Sequence, residues 1–137
     1  YLEDVGFDIV FRQLEHGTYG DERANSNYDM VVLTVTGPPD PDTWMGLVHS
    51  SNTPPGNNSS YYNNPEVDAL IEQATAAVDE EQRADLYRQI QEIVLEDAAL
   101  LPIYHLGVQV VRHESVQGFP VPIAHDYPLK YLEVIGD

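Results

Sequence analysis

The sequence predicts an α/β chain in which an α-helical hairpin is flanked by strands. Three observations carry that expectation. Residues Phe7 to Leu14 alternate apolar and polar side chains. Tyr28 to Val35 is a near-continuous apolar, β-branched run. Between Asn64 and Ala98, apolar residues recur at helical spacing behind two capping signals. Period two marks a half-buried strand, an unbroken β-branched run marks a strand buried on both faces, and period 3.6 marks an amphipathic helix.

In chain order, Tyr1-Leu2-Glu3-Asp4-Val5-Gly6 reads as the end of a helix, with Gly6 as its stop. Phe7, Ile9 and Phe11 then share one face of the first strand, and Asp8, Val10 and Arg12 share the other. The polar, glycine-containing stretch from His16 to Asn27 is expected to be a loop with room for one helical turn. After the second strand, Thr36-Gly37-Pro38-Pro39-Asp40-Pro41-Asp42-Thr43-Trp44 admits neither helix nor ladder pairing at its prolines. Asp42 is the expected cap of a short helix through Trp44, Leu47 and Val48. Ser50 to Ser60 is composed like a solvated loop and holds two overlapping glycosylation triplets, at Asn57 and Asn58.

Asn64 caps the next helix, with Pro65 at its first position and Glu66 and Asp68 in the positive first turn. Its expected buried stripe is Val67, Leu70, Ile71, Ala74, Ala77 and Val78. Asp79 and Gln82 form a capping-box pattern for the second helix, whose stripe is Leu86, Tyr87, Ile90, Ile93 and Val94. A strand from about Gly107 to Arg112, a break at Gly118-Phe119-Pro120-Val121-Pro122 and a last short strand within Tyr131 to Ile135 complete the pattern.

The chain has 137 residues, enough for one core, and a hydrophobic fraction of 42% that argues against disorder. It starts without Met inside a helical pattern and carries neither an export signal nor an apolar run of membrane-spanning length, so it is expected to be part of a longer protein. Acidic residues number 23 and basic ones 6, for a net charge of -17. Such a surface repels nucleic acid and anionic membranes, so the expectation is no nucleic-acid partner, with membrane contact only through an anchor upstream. Abundant carboxylates beside the single Lys130 match a salt-adapted, halophilic surface, the alternative being a merely acidic one. With no cysteine, disulfides, thiolate metal sites and a Cys nucleophile are excluded. His105 and His113 lie about 26 Å apart on an extended strand, too far to share an ion, and no H-x-x-x-H or H-E-x-x-H pair exists, so no metal and no cofactor are expected.

Five ordered segments resemble the dipeptide, oligopeptide and nickel class of ABC-transporter extracellular solute-binding proteins, family 5. They are Tyr28-Asp29-Met30-Val31, then Asp40-Pro41-Asp42-Thr43-Trp44, then Tyr62-Asn63-Asn64-Pro65-Glu66-Val67-Asp68-Ala69-Leu70. Asp79 to Tyr87 and Glu96 to Tyr104 are the last two, and the resemblance they anchor runs over nearly the whole chain. The resemblance implies the C-terminal portion of a two-lobed, periplasmic-binding-protein-like (type II) fold that closes on a small solute. Residues 1–37 would end one lobe, and 38–137 would form the crossover and the C-terminal part of the other, with the helix pair at 64–98. It further implies an extracytoplasmic protein, anchored through a segment upstream, that delivers a peptide, oligosaccharide or similar solute to ABC permease subunits.

The family's dipeptide binders place an Asp after the Thr-Gly of this loop. Here Pro38-Pro39 follows Gly37, Val35 replaces a Trp two positions before the glycine, and the strand Val31-Val32-Leu33 lacks an Arg. These departures point to an uncharged or otherwise anchored solute, such as a sugar or a modified peptide. The ligand-facing set implied is Val35, Thr36, Gly37, Pro38, Asp40, Trp44 and Tyr62. Trp44 offers either a stacking surface or an anchor for the short helix. For Asp42 the cap reading outweighs ligand contact. One of Tyr61 and Tyr62 packs on the lobe while the other lines the cleft, and Tyr104 and His105 read as core or rim. Two other classes compete: a stand-alone interaction module using the hairpin as a docking face, and a hydrolase using Asp40 and Asp42 as paired carboxylates. No nucleophile-elbow, P-loop or zinc-helix motif supports catalysis, and none is expected.

Overall fold

Two helices wound from the Asn64–Ala98 segment supply the core of the computed structural model, which describes residues 1–105, 107, 111–118 and 129–135. In chain order the helices are α1 (His16–Ala24), α2 (Asp42–Met45), α3 (Pro65–Ala76) and α4 (Glu80–Glu96), followed by β1 (Val116–Gln117) and β2 (Glu133–Val134). The fold is therefore mixed helix and strand, with the helical hairpin where the sequence places it.

The caps act as expected. Asn64 accepts a hydrogen bond from the Glu66 N–H at 3.0 Å, and Asp79 accepts one from Gln82 at 2.8 Å. Each satisfies an orphan donor of its helix's first turn. Glycine does not end α4. Ala98 takes the left-handed turn (φ 51°), and the Ala99 N–H returns to the Val94 carbonyl at 3.1 Å. Between the helices, Val67, Ile71 and Ala74 meet Leu86, Tyr87, Ile90 and Val94, with Val48 added from the turn after α2. Burying Ile90 alone contributes about 2–3 kcal/mol of transfer free energy. Leu70, Ala77 and Ile93 pack at the edge of this cluster. Val78 does not join it: at 97% exposure it sits in the link between helices, past the last turn of α3, where helical phase no longer aims it inward.

Two expectations of strand structure are corrected. Phe7 to Leu14 and Tyr28 to Val35 carry no ladder, and the latter is not buried on both faces, since Val32 is 64% exposed. A strand is stable only against a partner, and neither run pairs with another segment among the described residues. The first is held instead by the Arg12–Glu22 ion pair at 3.2 Å. The second is held by the Tyr19 hydroxyl, which donates to the Val32 carbonyl at 3.1 Å. Of the expected strand from Gly107 to Arg112, the described residues Gly107, Val111 and Arg112 are not in a strand, and the others lie outside the described residues. The proline-rich break after Gly118 lies outside them too.

The sequence's final strand is found, shortened to β2, which pairs antiparallel with β1 in the register Val116–Val134 and Gln117–Glu133. Gly118 follows β1 at φ 74°, where a Cβ would lie 2.2 Å from the Tyr131 carbonyl oxygen, so only glycine fits.

His16 to Ala24 forms a nine-residue helix where a loop was expected. Its cap is Glu15, whose carboxylate accepts from the Thr18 N–H at 2.5 Å and the Thr18 hydroxyl at 2.8 Å. Glutamate is a poor cap by statistics, and Gly17 and Gly20 lower helix propensity, so the sequence signal was masked.

Candidate functional site

The segment from Thr36 to Trp44 runs across one flank of the helix pair and leaves its outer side open. Thr36, Pro38, Pro39 and Asp40 are exposed, while Gly37, Pro41, Asp42 and Trp44 are half-buried. The chain has one tryptophan, and its ring lies on Gly37: a Cβ at that glycine would sit 2.9 Å from the indole Cη2. Trp44 is therefore packed against its own turn at Gly37, with part of its surface still facing solvent.

The two carboxylates of this turn have distinct tasks, and Asp42 is not the expected cap: it is the first residue of α2, after Pro41 at the N-cap position. Asp40 accepts from the Asp42 N–H at 3.0 Å. Its Oδ1 also takes the Arg83 Nη2 from α4 at 2.7 Å. The Arg83 and Asp42 bonds hold the Asp40 carboxyl below its usual pKa. Asp42 points the other way, toward the helices. Its Oδ1 accepts from the Tyr87 hydroxyl at 2.9 Å and lies 2.8 Å from the Thr75 hydroxyl. The Asp42 N–H is spent on Asp40, and its side chain faces inward, so it has no reach to the first turn it was expected to cap. Arg83 completes the group by lying 4.9 Å over the Tyr87 ring.

Tyr62 enters from the adjoining loop. Its backbone N–H and carbonyl are both held by Asn58, at 3.1 and 2.8 Å, and its hydroxyl donates to Asp97 at 2.5 Å. The ring packs at the edge of the core, whereas Tyr61 points outward at φ 54°. Asn58 is fully buried, and Ser59 nearly so, which corrects the expectation of a solvated Ser50–Ser60 loop. The same polar side chains that suggest solvent in a sequence here supply the loop's internal bonds. Sequence reasoning missed Asn58, Arg83 and Thr75. For Arg83, the signal available was an arginine one helical turn before Tyr87 on the same face.

Loop 56–61 is also bound from the N-terminal side. Arg23 donates to the Gly56 carbonyl at 3.0 Å and to the Ser59 hydroxyl at 3.2 Å. Tyr28 donates to the Ser59 carbonyl at 2.8 Å, and Ser26 meets the Tyr61 hydroxyl. Tyr104 and His105, expected at the core or its rim, are exposed.

The geometry offers little to hydrolysis. A general acid needs a carboxyl with a raised pKa, and the Asp40 pKa is pushed down by Arg83. Ser51, His49 and Asp68 also come together, but Ser51 Oγ at 2.9 Å and Asp68 Oδ1 at 3.7 Å both address the same nitrogen, His49 Nδ1. A proton relay needs one partner on each ring nitrogen, so this cluster is a turn cap. Among the described residues, no group of three or more His, Asp and Glu side chains is placed to hold a metal ion.

No family model matches the chain, and no solved structure matches it. Curated proteins do. It is 31% identical over 121 residues to the probable D,D-dipeptide-binding periplasmic protein of Escherichia coli, covering 86% of this chain and 23% of that protein. It is 31% identical over 118 residues to a dipeptide-binding protein of Pseudomonas aeruginosa, covering 85% and 22%. The oligopeptide-binding protein of Bacillus subtilis is 26% identical over 123 residues, covering 89% and 22%. The chain thus spans less than a quarter of the length of these relatives. These relatives are named as binding proteins, and over about 85% of its length the chain is similar to one segment of dipeptide- and oligopeptide-binding proteins.

Proposed function

We propose that this chain is the C-terminal part of an extracytoplasmic solute-binding protein that captures a peptide or related small solute and hands it to the permease subunits of an ABC importer. The observation that carries this reading is a crossover braced from behind by the helix pair and open in front, in a chain related over about 85% of its length to peptide-binding proteins. Names among those relatives include dipeptide, di/tripeptide, murein-peptide and deoxycholate binders. Peptides and their modified forms are accordingly the favoured solutes here.

The lobes divide near residue 37, with 1–37 ending one and 38–137 forming the crossover and the rest of the other. Apolar side chains at Phe7, Val10, Phe11, Met30, Val32 and Val35 are exposed. Strand-like sequences with bare apolar surface and unpaired edges are what a neighbouring sheet would cover, which supports a larger two-lobed protein of type II architecture. Val35, Thr36, Gly37, Pro38, Asp40, Trp44 and Tyr62 make the ligand-facing set. In it Trp44 serves as a stacking face, and the half-buried Gly37 lets that face lie flat against the backbone.

Differential scanning fluorimetry of the full-length protein with di- and tripeptides, murein peptides and oligosaccharides tests the reading. A ligand at a hundred times its Kd raises apparent stability by about 2.7 kcal/mol. Trp44→Ala is expected to abolish most of that shift. A protein whose melting point no member of the panel moves is not a solute receptor of this class.

A further inference from the structure

The helix pair does more than fill the core behind the crossover. Both acids of the Asp40-Pro41-Asp42 turn are bonded to side chains from these two helices, at separations in sequence of more than thirty residues. Arg83 from α4 takes Asp40, and Tyr87 from α4 with Thr75 from α3 takes Asp42. The two carboxylates lie two residues apart in a turn whose prolines remove the backbone donors a ladder would use, so side-chain bonds are what can fix its orientation. Immediately around it, Gly37 and Trp44 form the packed face described above.

We propose that Arg83, Tyr87 and Thr75 are positioning residues for ligand binding, locking the Asp40–Asp42 turn so that Trp44 and Gly37 present one preformed surface. This rests on the solute-binding reading for its binding consequence, while its structural consequence stands alone. A preformed surface binds more tightly because ordering is not charged to the binding step. Loss of one charge-assisted bond in the lock is expected to lower affinity about tenfold, mostly through faster dissociation.

The experiment uses full-length protein and three variants: Tyr87→Phe, Arg83→Gln and Arg83→Lys. Tyr87→Phe removes only a hydroxyl and keeps the buried ring, so it is expected to fold. Hydrogen–deuterium exchange is read separately over residues 36–48 and over α3 and α4, and affinity is measured with alanine di- and tripeptides. Tyr87→Phe and Arg83→Gln are expected to speed exchange in 36–48 about tenfold while α3 and α4 keep their protection, with Arg83→Lys restoring part of the loss. A purely structural role would instead speed exchange in α3 and α4 as well, and that result would overturn the proposal. So would unchanged exchange in 36–48, or a loosened turn with undiminished affinity for a peptide the wild type binds. If the wild type binds neither peptide, the peptide reading of the function fails, and the exchange data still decide whether these residues lock the turn.

Discussion

The hydroxyl of Tyr62 donates to the carboxylate of Asp97 at 2.5 Å, and Asn64, the cap of α3, donates to the same oxygen at 3.0 Å. One acid at the end of α4 thus fastens the beginning of α3 and the loop before it. Position alone disfavours a carboxylate there, because a helix C-terminus carries partial negative charge. The bonds from Tyr62 and Asn64 overcome this and hold the Asp97 carboxyl below its usual pKa. Asp97→Ala and Tyr62→Phe are each expected to lower the melting temperature. Because both remove one shared bond, the double variant is expected to melt well above the temperature that adding the two losses would give. Strict additivity in that double-mutant cycle would show that the two residues act separately.

Acid sensitivity follows from the same chemistry at three sites. Asp40, Asp68 and Asp97 all titrate below the ordinary aspartate value in the folded chain. For Asp68, burial works to raise the pKa, but two hydrogen bonds from Ser50 and the neighbouring His49 outweigh it. A depressed pKa means the folded state favours the ionised form. The stability gained is present above about pH 4, the unfolded value, and is lost as pH falls through the lower folded values. Chemical denaturation from pH 7 to pH 2 is expected to show a falling limb below pH 4, shallower in Asp68→Asn. A flat profile across that range would contradict the assignments.

Asn58 holds the most deeply buried polar position among the described residues. It is 0% exposed, donates to the His49 and Tyr62 carbonyls, and accepts from the Tyr62 N–H and the Ser60 hydroxyl. Asn58→Ala strands several of these groups away from water, with an expected cost of about 3 kcal/mol. Asn58→Asp keeps the acceptor but brings an unpaired buried charge toward two carbonyls, and is expected to cost at least as much. Urea unfolding of both variants checks the order. The same burial bars a glycan at Asn58 in the folded chain, leaving exposed Asn57 as the only one of the two triplet asparagines that a transferase could reach.

What the sequence made legible was what local chemistry decides. Asn64 and Asp79 are caps because short polar side chains reach the N–H groups of the next turn, and that reach is a property of a few consecutive residues. The stripes from Val67 to Ala77 and from Leu86 to Val94 are legible because 3.6-residue periodicity needs no knowledge of the partner, and only Val78, the last residue expected in the first, falls outside the core. Phe7 to Leu14 and Tyr28 to Val35 were misread for the opposite reason. Alternation and β-branching state a preference for a sheet, but pairing needs another strand, and none is supplied among the described residues. Asp42 was misassigned because a cap and a tertiary acceptor look identical in a one-dimensional pattern. Tyr87 and Thr75 stand 45 and 33 residues from it, a distance no local signal spans.

The surface charge makes the last prediction, and its sign depends on which electrostatic term wins. Attractive contacts exist: Arg12 with Glu22 at 3.2 Å and Arg83 with Asp40 at 2.7 Å. Added salt weakens both, because each pair is partly exposed to solvent. Against them stand 23 acidic residues and only 6 basic ones, so most carboxylates have no cation to face and repel one another across the folded surface. At 1 M salt the screening length shrinks to about 3 Å, and that repulsion is largely removed. Raising KCl from low concentration to 1 M is therefore expected to raise the melting temperature continuously. Potassium chloride is the appropriate salt, because sulfate would also strengthen apolar burial and blur the cause. A melting temperature that falls with KCl would mean that the few ion pairs, Arg83–Asp40 foremost, hold this chain together more than its net charge of -17 strains it.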